Sequence, residues 1–366
     1  MIAPRLDIDL GKIHHNARML VSSLETKGIS VTGVTKASLG SPAIAGALLR
    51  AGVTRLGDSR IENIEAMRRA GLRAPMTLIR SPMTSQVDRV VRHAEVSFNT
   101  EPAVITRLAG AARAARTTHG IVLMVELGDL REGILPAGVA EVVRHTIGYP
   151  SLELAGVGAN LACQSGVVPD ARNMAELSAI ARSVEATLGR RLDVVSGGNS
   201  GNLAWAMSGA DTGRIDDLRL GEAILLGREP LHRRPLDGLH TDAFSLVAEV
   251  IEAKDKPSRP WGDLAQTAFG ERPVATGSGN AVRTIVAIGE QDVDPAGLLP
   301  PPGICVTGAS SDHVILSGGG RRVAVGAQIA FQLNYSALMR AMTSPFVAKV
   351  LHDGVAAESL RDEGAR

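Results

Sequence analysis

The sequence predicts an α/β protein: a (β/α)8 barrel followed by a mainly β C-terminal domain. Three observations predict it. Through the first two-thirds of the chain, short β-like runs alternate with helical patterns of about a dozen residues, the rhythm of βα units around a parallel sheet. The runs number eight, enough to close a TIM-type barrel. After about Gly227 the helical periodicity fades, Pro and Gly become frequent (PLHRRPLDG, KPSRPWGD, DPAGLLPPPG), and short alternating runs take over.

In order, the barrel strands are VTGVT (31–35), TRLGD (54–58), MTLIR (76–80), VSFNT (96–100), IVLMVEL (121–127), LAGVGAN (154–160), VVSGG (194–198) and LRLGEAILL (218–226). Between them lie amphipathic stretches such as SPAIAGALLRAG and EPAVITRLAGAARAA. A doubly wound open sheet is the competing arrangement, but no GxGxxG opens a first helix. The later strands are SLVAEVIEA, RTIVAIG, HVILSGG and RRVAVGAQIAFQL. The expected division is a barrel over 11–230 and a β domain over 231–366, with an N-terminal strand at 4–10 joining the latter. The last dozen residues, VAAESLRDEGAR, are polar and expected to fray.

Composition narrows the function classes. Apolar residues make up 45% and aromatics 2%, so the core must be aliphatic. A net charge of +1, with no basic run interleaved with aromatics, argues against a nucleic-acid partner. Cys163 and Cys305 form neither a disulfide framework nor a CxxC metal pair, which fits a reducing compartment. The start MIAPRLDIDL lacks the regions of a signal peptide, and no apolar run approaches ~18 residues. The expectation is a soluble cytoplasmic protein with no membrane partner.

In such a barrel, chemistry sits at the C-terminal ends of the strands. That rule selects Lys36, Asp58, Arg80, Asn99, Asn160, the stretch from Ser196 to Ser200 and Arg219, with Arg131 following the fifth strand. Lys36 stands out by composition. Of 39 basic residues only six are lysines, namely Lys12, Lys27, Lys36, Lys254, Lys256 and Lys349, leaving 33 arginines. A replaceable cation in this chain would be arginine. Lysine can lose its proton and attack a carbonyl, whereas guanidinium stays charged. Lys36 is therefore a candidate for a Schiff base with pyridoxal phosphate; the plain alternative is a lysine that snorkels from a strand end. SGGNSG (196–201) supplies glycines that let backbone approach a phosphate ahead of a helix. Alone it could be an ordinary tight turn, but with Lys36 it forms a consistent pair.

Together LDIDLGKIHHNARML, VTGVTKAS, LGDSRIEN, LREGI, GANLAC, SGGNS, LRLGEAILLG and GASSDH resemble the alanine racemase-like family of pyridoxal-phosphate enzymes, in its ornithine racemase branch. The resemblance spans nearly the whole chain. It implies that Lys36 carries pyridoxal 5'-phosphate and acts as one catalytic base, and that Arg219 donates to the pyridine nitrogen. A permanent charge there keeps that nitrogen unprotonated, which weakens the ring as an electron sink and favours proton removal and return at Cα. Arg131 would lie near the phenolic oxygen and Asn160 beside the ring. Ser196, Gly198 and Ser200, with the backbone around Gly221 and Glu222, would hold the phosphate.

Racemisation by two bases needs a second acid/base on the opposite face of the carbanion. The family supplies a tyrosine there, from the partner subunit's C-terminal domain. Here the matching run is AIGEQDVD, so Glu290 stands about where that tyrosine would be. Tyr149 precedes the sixth strand, at the wrong end of the barrel. Tyr335, Glu290 and His313 remain as candidates. GASSDH lacks the His-x-Cys zinc pair of related dehydratases, so no catalytic metal is expected. The implied substrate is an amino acid, with ornithine or another basic one leading. Asp58, Glu222, Glu290, Asp292 and Asp294 are the acids that could meet a distal ammonium. The resemblance also implies a homodimer with shared active sites. The alternatives are a pyridoxal-phosphate carrier, which the β domain disfavours, and another enzyme of the same fold type: a decarboxylase, aldolase or dehydratase.

Overall fold

The computed structural model describes residues 2–270, 279–318 and 322–353. The terminal VAAESLRDEGAR, expected to fray, lies outside these residues. The chain divides into two compact units, Leu10–Thr241 and a unit made of Met1–Asp9 with Asp242–Arg366.

The chain opens with β1 (Arg5–Asp9) and α1 (Leu10–Glu25). Eight parallel strands then close a barrel: β2 (Ser30–Val34), β3 (Arg55–Asp58), β4 (Met76–Leu78), β5 (Val96–Asn99), β6 (His119–Val125), β7 (Leu152–Ala159), β8 (Val194–Asn199) and β9 (Asp217–Leu220). Closure comes from β2 pairing with β9, in a register that sets Thr32 opposite Arg219. Helices α2 (Pro42–Arg50), α3 (Ile61–Arg69), α4 (Val87–His93), α5 (Pro102–Ala115), α6 (Val139–Ile147), α7 (Ala171–Leu188), α8 (Leu203–Met207) and α9 (Glu222–Leu226) alternate with these strands. The strands are buried on both faces, which is why they appear as nearly unbroken apolar runs. All seven residues of β6 are buried. Inside the barrel, Phe98, Val122, Met124, Ala155 and Val194 pack together.

One strand differs from the sequence reading. LRLGEAILL is strand only through Leu220, and from Glu222 it is helix. A short buried apolar run does not by itself distinguish the two. The turn falls at Gly221, where a Cβ would come within 3.2 Å of Val34, so glycine brings α9 close to β2. The segment after α9 stays with the barrel as far as Thr241, beyond the boundary at 230 read from the sequence. Buried Asn16 on α1 holds it there. Its Nδ2 donates to the Ile224 and His240 carbonyls, and its Oδ1 accepts from the His240 N–H at 2.7 Å.

The other unit is one sheet. Its strands are β1, β10 (Phe244–Pro257), β11 (Asn280–Val286), β12 (Leu298–Leu299), β13 (Cys305–Ala309), β14 (Val314–Ser317), β15 (Gln328–Leu333) and β16 (Ala348–His352). Their main order is β12-β15-β10-β11-β14-β13, with β1 pairing antiparallel to β10 and parallel to β16. Helix α10 (Tyr335–Thr343) follows β15. Among the described residues, no helix is long and apolar enough to cross a membrane.

Candidate active site

Side chains alternate across each barrel strand, and the inward positions near the C-terminal ends of β2, β8 and β9 are polar. Arg219 is 5% exposed, with its guanidinium 4.9 Å from the centroid of the Phe98 ring. Its Nη2 donates to the Ala159 carbonyl at 2.8 Å and to Asn160 Oδ1 at 3.2 Å, and its Nη1 donates to Ser196 Oγ at 2.6 Å. Among the described residues its Nε has no hydrogen-bond partner. Burial pushes this guanidinium down to about 10, against the pull of the Asp217 carboxylate, so it stays protonated at neutral pH.

Lys36 follows β2 after Thr35, at the start of a 3-10 turn over Lys36–Ser38. It is half-buried and has no ion-pair partner among the described residues. Burial lowers its pKa; Cys163 and Asp58 oppose that fall, while the Arg131 and Arg219 cations reinforce it. The amine is thus biased toward the neutral form that can act as a nucleophile or base. The turn is anchored from behind. Thr35 Oγ1 donates to Asp58 Oδ2 at 2.7 Å, and Asp58 Oδ1 accepts from the Arg60 N–H and Asn63 Nδ2 at the start of α3.

The β8 loop is built around glycine and asparagine. Gly198 has φ +147, and a Cβ there would lie 2.1 Å from Asn202 Oδ1. Asn199 and Asn202 bond reciprocally to fix the loop. Ser200 is buried, and its Oγ accepts from the Ala223 N–H at 3.2 Å, tying this loop to the one after β9. Asn199 Nδ2 donates to Asn160 Oδ1, to the Leu161 carbonyl and to Cys163 Sγ at 3.4 Å. Asn160 Nδ2 is shielded from solvent and has no hydrogen-bond partner among the described residues.

Several residues fall elsewhere than the sequence rule places them. Asp58 is at a strand end, but its carboxylate faces α3 and is fully engaged there. Asn99 also turns away from the barrel interior, donating to the Ser97 carbonyl and hydroxyl. Ser196, read as a phosphate ligand, has its hydroxyl inside the barrel between Arg219 and Asp217, with both its donor and acceptor roles taken. The Glu222 carboxylate pairs with Arg233, and Arg131 pairs with Glu132. Arg80 is half-buried after β4.

The sequence reading missed Asp217 and Cys163. Asp217 is 2% exposed and accepts from Thr32 and Ser196. Its signal is an acid two residues before Arg219 on a buried strand, hence on the same face. Cys163 is exposed, on a loop held by buried Asp129, whose carboxylate accepts the N–H groups of Cys163, Gln164 and Ser165. Nothing in the cysteine count marks it.

The candidates for a second base all lie in the sheet unit. Glu290 accepts from Arg340 at 3.3 Å, and its loop pairs with the turn that carries His313, through the Glu290 N–H to the Ser310 carbonyl at 2.9 Å. Gly289 makes that approach possible, since a Cβ would meet Ser311 O at 2.3 Å. His313 is exposed, and half-buried Tyr335 opens α10, the helix that carries Arg340. Asp292 accepts from Ser344, and Asp294 caps the Ala296 N–H.

The barrel residues fit a planar, phosphate-bearing carbonyl cofactor. They offer an unpaired amine, an orphaned amide donor beside Arg219, and a loop that requires glycine at 198. The comparisons agree in family. Residues 8–229 match the alanine racemase, N-terminal domain model. The lysine racemase of Thermotoga maritima is 38% identical over 97% of this chain and 100% of its own length. The ornithine racemase of Acetoanaerobium sticklandii is 34% identical over 95% and 99%. An alanine racemase structure from Streptomyces lavendulae superposes with a TM-score of 0.74 at 19% identity, covering 97% of this chain and 99% of that one, and supports the fold. A D-threonine aldolase from Filomicrobium marinum does so at 0.73 and 16%, covering 93% and 89%. The chain, whose barrel with this polar mouth is matched over residues 8–229 by the racemase domain model and which two racemases match nearly end to end, belongs to the alanine racemase N-terminal domain family.

Proposed function

We propose that this protein is a pyridoxal-phosphate-dependent racemase, an isomerase that interconverts the enantiomers of a basic amino acid, ornithine or lysine, in the cytoplasm. The observation that carries the reading is the unpaired, burial-tuned Lys36 amine at the mouth that also holds Arg219. The two full-length relatives named for lysine and ornithine support the substrate class.

When bound, pyridoxal phosphate draws electrons from the substrate's Cα–H bond. Lys36 would hold the cofactor and would take or return the Cα proton on its own face. Arg219, fixed through both terminal nitrogens, offers Nε–H to the ring nitrogen and keeps it unprotonated by charge repulsion. Asn160 Nδ2 would gain a partner in the ring, and Arg131 would serve the phenolic oxygen. The backbone of Gly198, Ser200, Gly221 and Glu222 would hold the phosphate. The opposite face takes its acid/base from Tyr335, Glu290 or His313 of a second copy, which makes the working unit a homodimer. The five acids considered for the distal ammonium each have a partner within their own unit, so recognition of a basic side chain requires one of them to exchange it.

The test is α-proton exchange in D2O with L-ornithine and L-lysine, followed by chiral chromatography. Exchange accompanied by the D-enantiomer is the expected result. Cofactor uptake without exchange of any amino acid in a broad panel overturns the reading in favour of a carrier.

A further inference from the structure

Among the described residues, Arg219 is a buried cation without a carboxylate in direct contact. Its nearest counter-charge reaches it through one hydroxyl. Ser196 Oγ lies 2.6 Å from Arg219 Nη1 and 2.5 Å from Asp217 Oδ2, and Thr32 Oγ1 lies 2.6 Å from Asp217 Oδ1. All four side chains are at most 5% exposed. Guanidinium can only donate, so the Ser196 lone pair must face Arg219 and its single proton must go to Asp217. The Thr32 proton goes the same way. Every proton in the chain therefore points at the Asp217 carboxylate, a directional relay that matches a negative charge at one end to a positive charge at the other.

We propose that Asp217 is a positioning residue for the reaction: acting through Ser196, it holds the Arg219 guanidinium in the single orientation that leaves Nε facing the cofactor's ring nitrogen. The inference rests on the racemase reading and deepens it. Its chemical consequence is reaction specificity. A displaced Arg219 lets the ring nitrogen take a proton, which strengthens the electron sink. The competing outcome then grows, in which the substrate's amino group passes to the cofactor and leaves a 2-oxo acid and pyridoxamine phosphate.

Asp217→Asn separates charge from shape. Its Oδ1 can still accept from Ser196, and its Nδ2 can donate to Thr32 Oγ1, so the variant keeps the size and the hydrogen-bonding capacity of the side chain while losing the anion that fixes the relay and Arg219 behind it. Ser196→Ala breaks the relay from the other side, should the first variant fail to fold. Two measurements test the relay: the Arg219 Nε–H signal by 15N NMR on cofactor-free protein, and the ratio of pyridoxamine phosphate formed to substrate racemised in the loaded protein. Loss or broadening of the Nε–H signal is expected in both variants, with weaker pyridoxal-phosphate binding and a ratio raised by about 10-fold or more, the scale of one charge-assisted hydrogen bond. An unchanged Arg219 signal and an unchanged ratio in the variants overturn the relay. Wild-type protein that takes up no pyridoxal phosphate overturns the racemase reading, and the NMR signal then decides the relay by itself.

Discussion

Lys36 shows the conflict between stability and chemistry within one side chain. Burial, reinforced by the Arg131 and Arg219 cations, disfavours the ammonium form of Lys36 in the native state and lowers its pKa from 10.5. Between that lowered value and 10.5 the unfolded chain binds more protons than the native one, so stability of the cofactor-free protein rises with pH through this window. Lys36→Met removes the charge and keeps the volume. It should stabilise the cofactor-free protein at neutral pH by on the order of 1 kcal/mol and abolish activity, with an advantage that shrinks as pH rises toward 10.5. Thermal melts of both proteins across that range check the sign. The residue itself was legible because the chain avoids lysine so consistently. Asp217 was less so: its place two residues before Arg219 marks a shared face, but an acid on a barrel strand has the same sequence signature whether that face meets a helix or the barrel interior.

At the scale of elements, the barrel strands are legible because burial on both faces leaves unbroken apolar runs. The same burial hides which way each side chain points, since no polar alternation marks one face. The strand-end rule therefore selected Asp58 and Asn99 alongside Lys36 and Arg219, although the first two turn toward the helix layer. That layer contains a second polar cluster. His119, at the start of β6 and 1% exposed, shares a hydrogen bond of 2.8 Å with Ser97 Oγ on β5. Burial pushes its pKa down to about 4 from an ordinary 6.5. The neutral form is thus the native one, and the associated stability is complete above 6.5 and lost as pH falls toward 4. The drop should be about 3 kcal/mol, from 1.36 kcal/mol per unit. Urea unfolding from pH 7 to 4 should show that slope in wild type and lack it in His119→Gln. The β9–α9 boundary escaped prediction for a simpler reason: Gly221 is the only punctuation inside LRLGEAILL.

For the whole molecule, the two-unit division with β1 in the sheet unit follows from one early strand, LDIDL, placed ahead of the first barrel helix. The proposed second base is not legible in the same way, because a residue supplied by another copy would leave no spacing relation to Lys36 along the chain. Subunit complementation tests the shared site. Lys36→Ala protein and a Tyr335→Phe, Glu290→Gln, His313→Gln protein should each be inactive. After mixing and subunit exchange they should recover about a quarter of wild-type activity, as expected for one intact site in each mixed dimer of a two-fold pair. Recovery of nothing, from mixtures shown to contain mixed dimers, would place the second base in the barrel's own chain.

The most direct measurement is borohydride reduction of pyridoxal-phosphate-loaded protein, followed by peptide mass spectrometry. The prediction is one pyridoxyl phosphate group per chain, on the peptide containing Lys36. A label on any of the other five lysines, or an unmodified Lys36 in protein that binds the cofactor, would contradict the account.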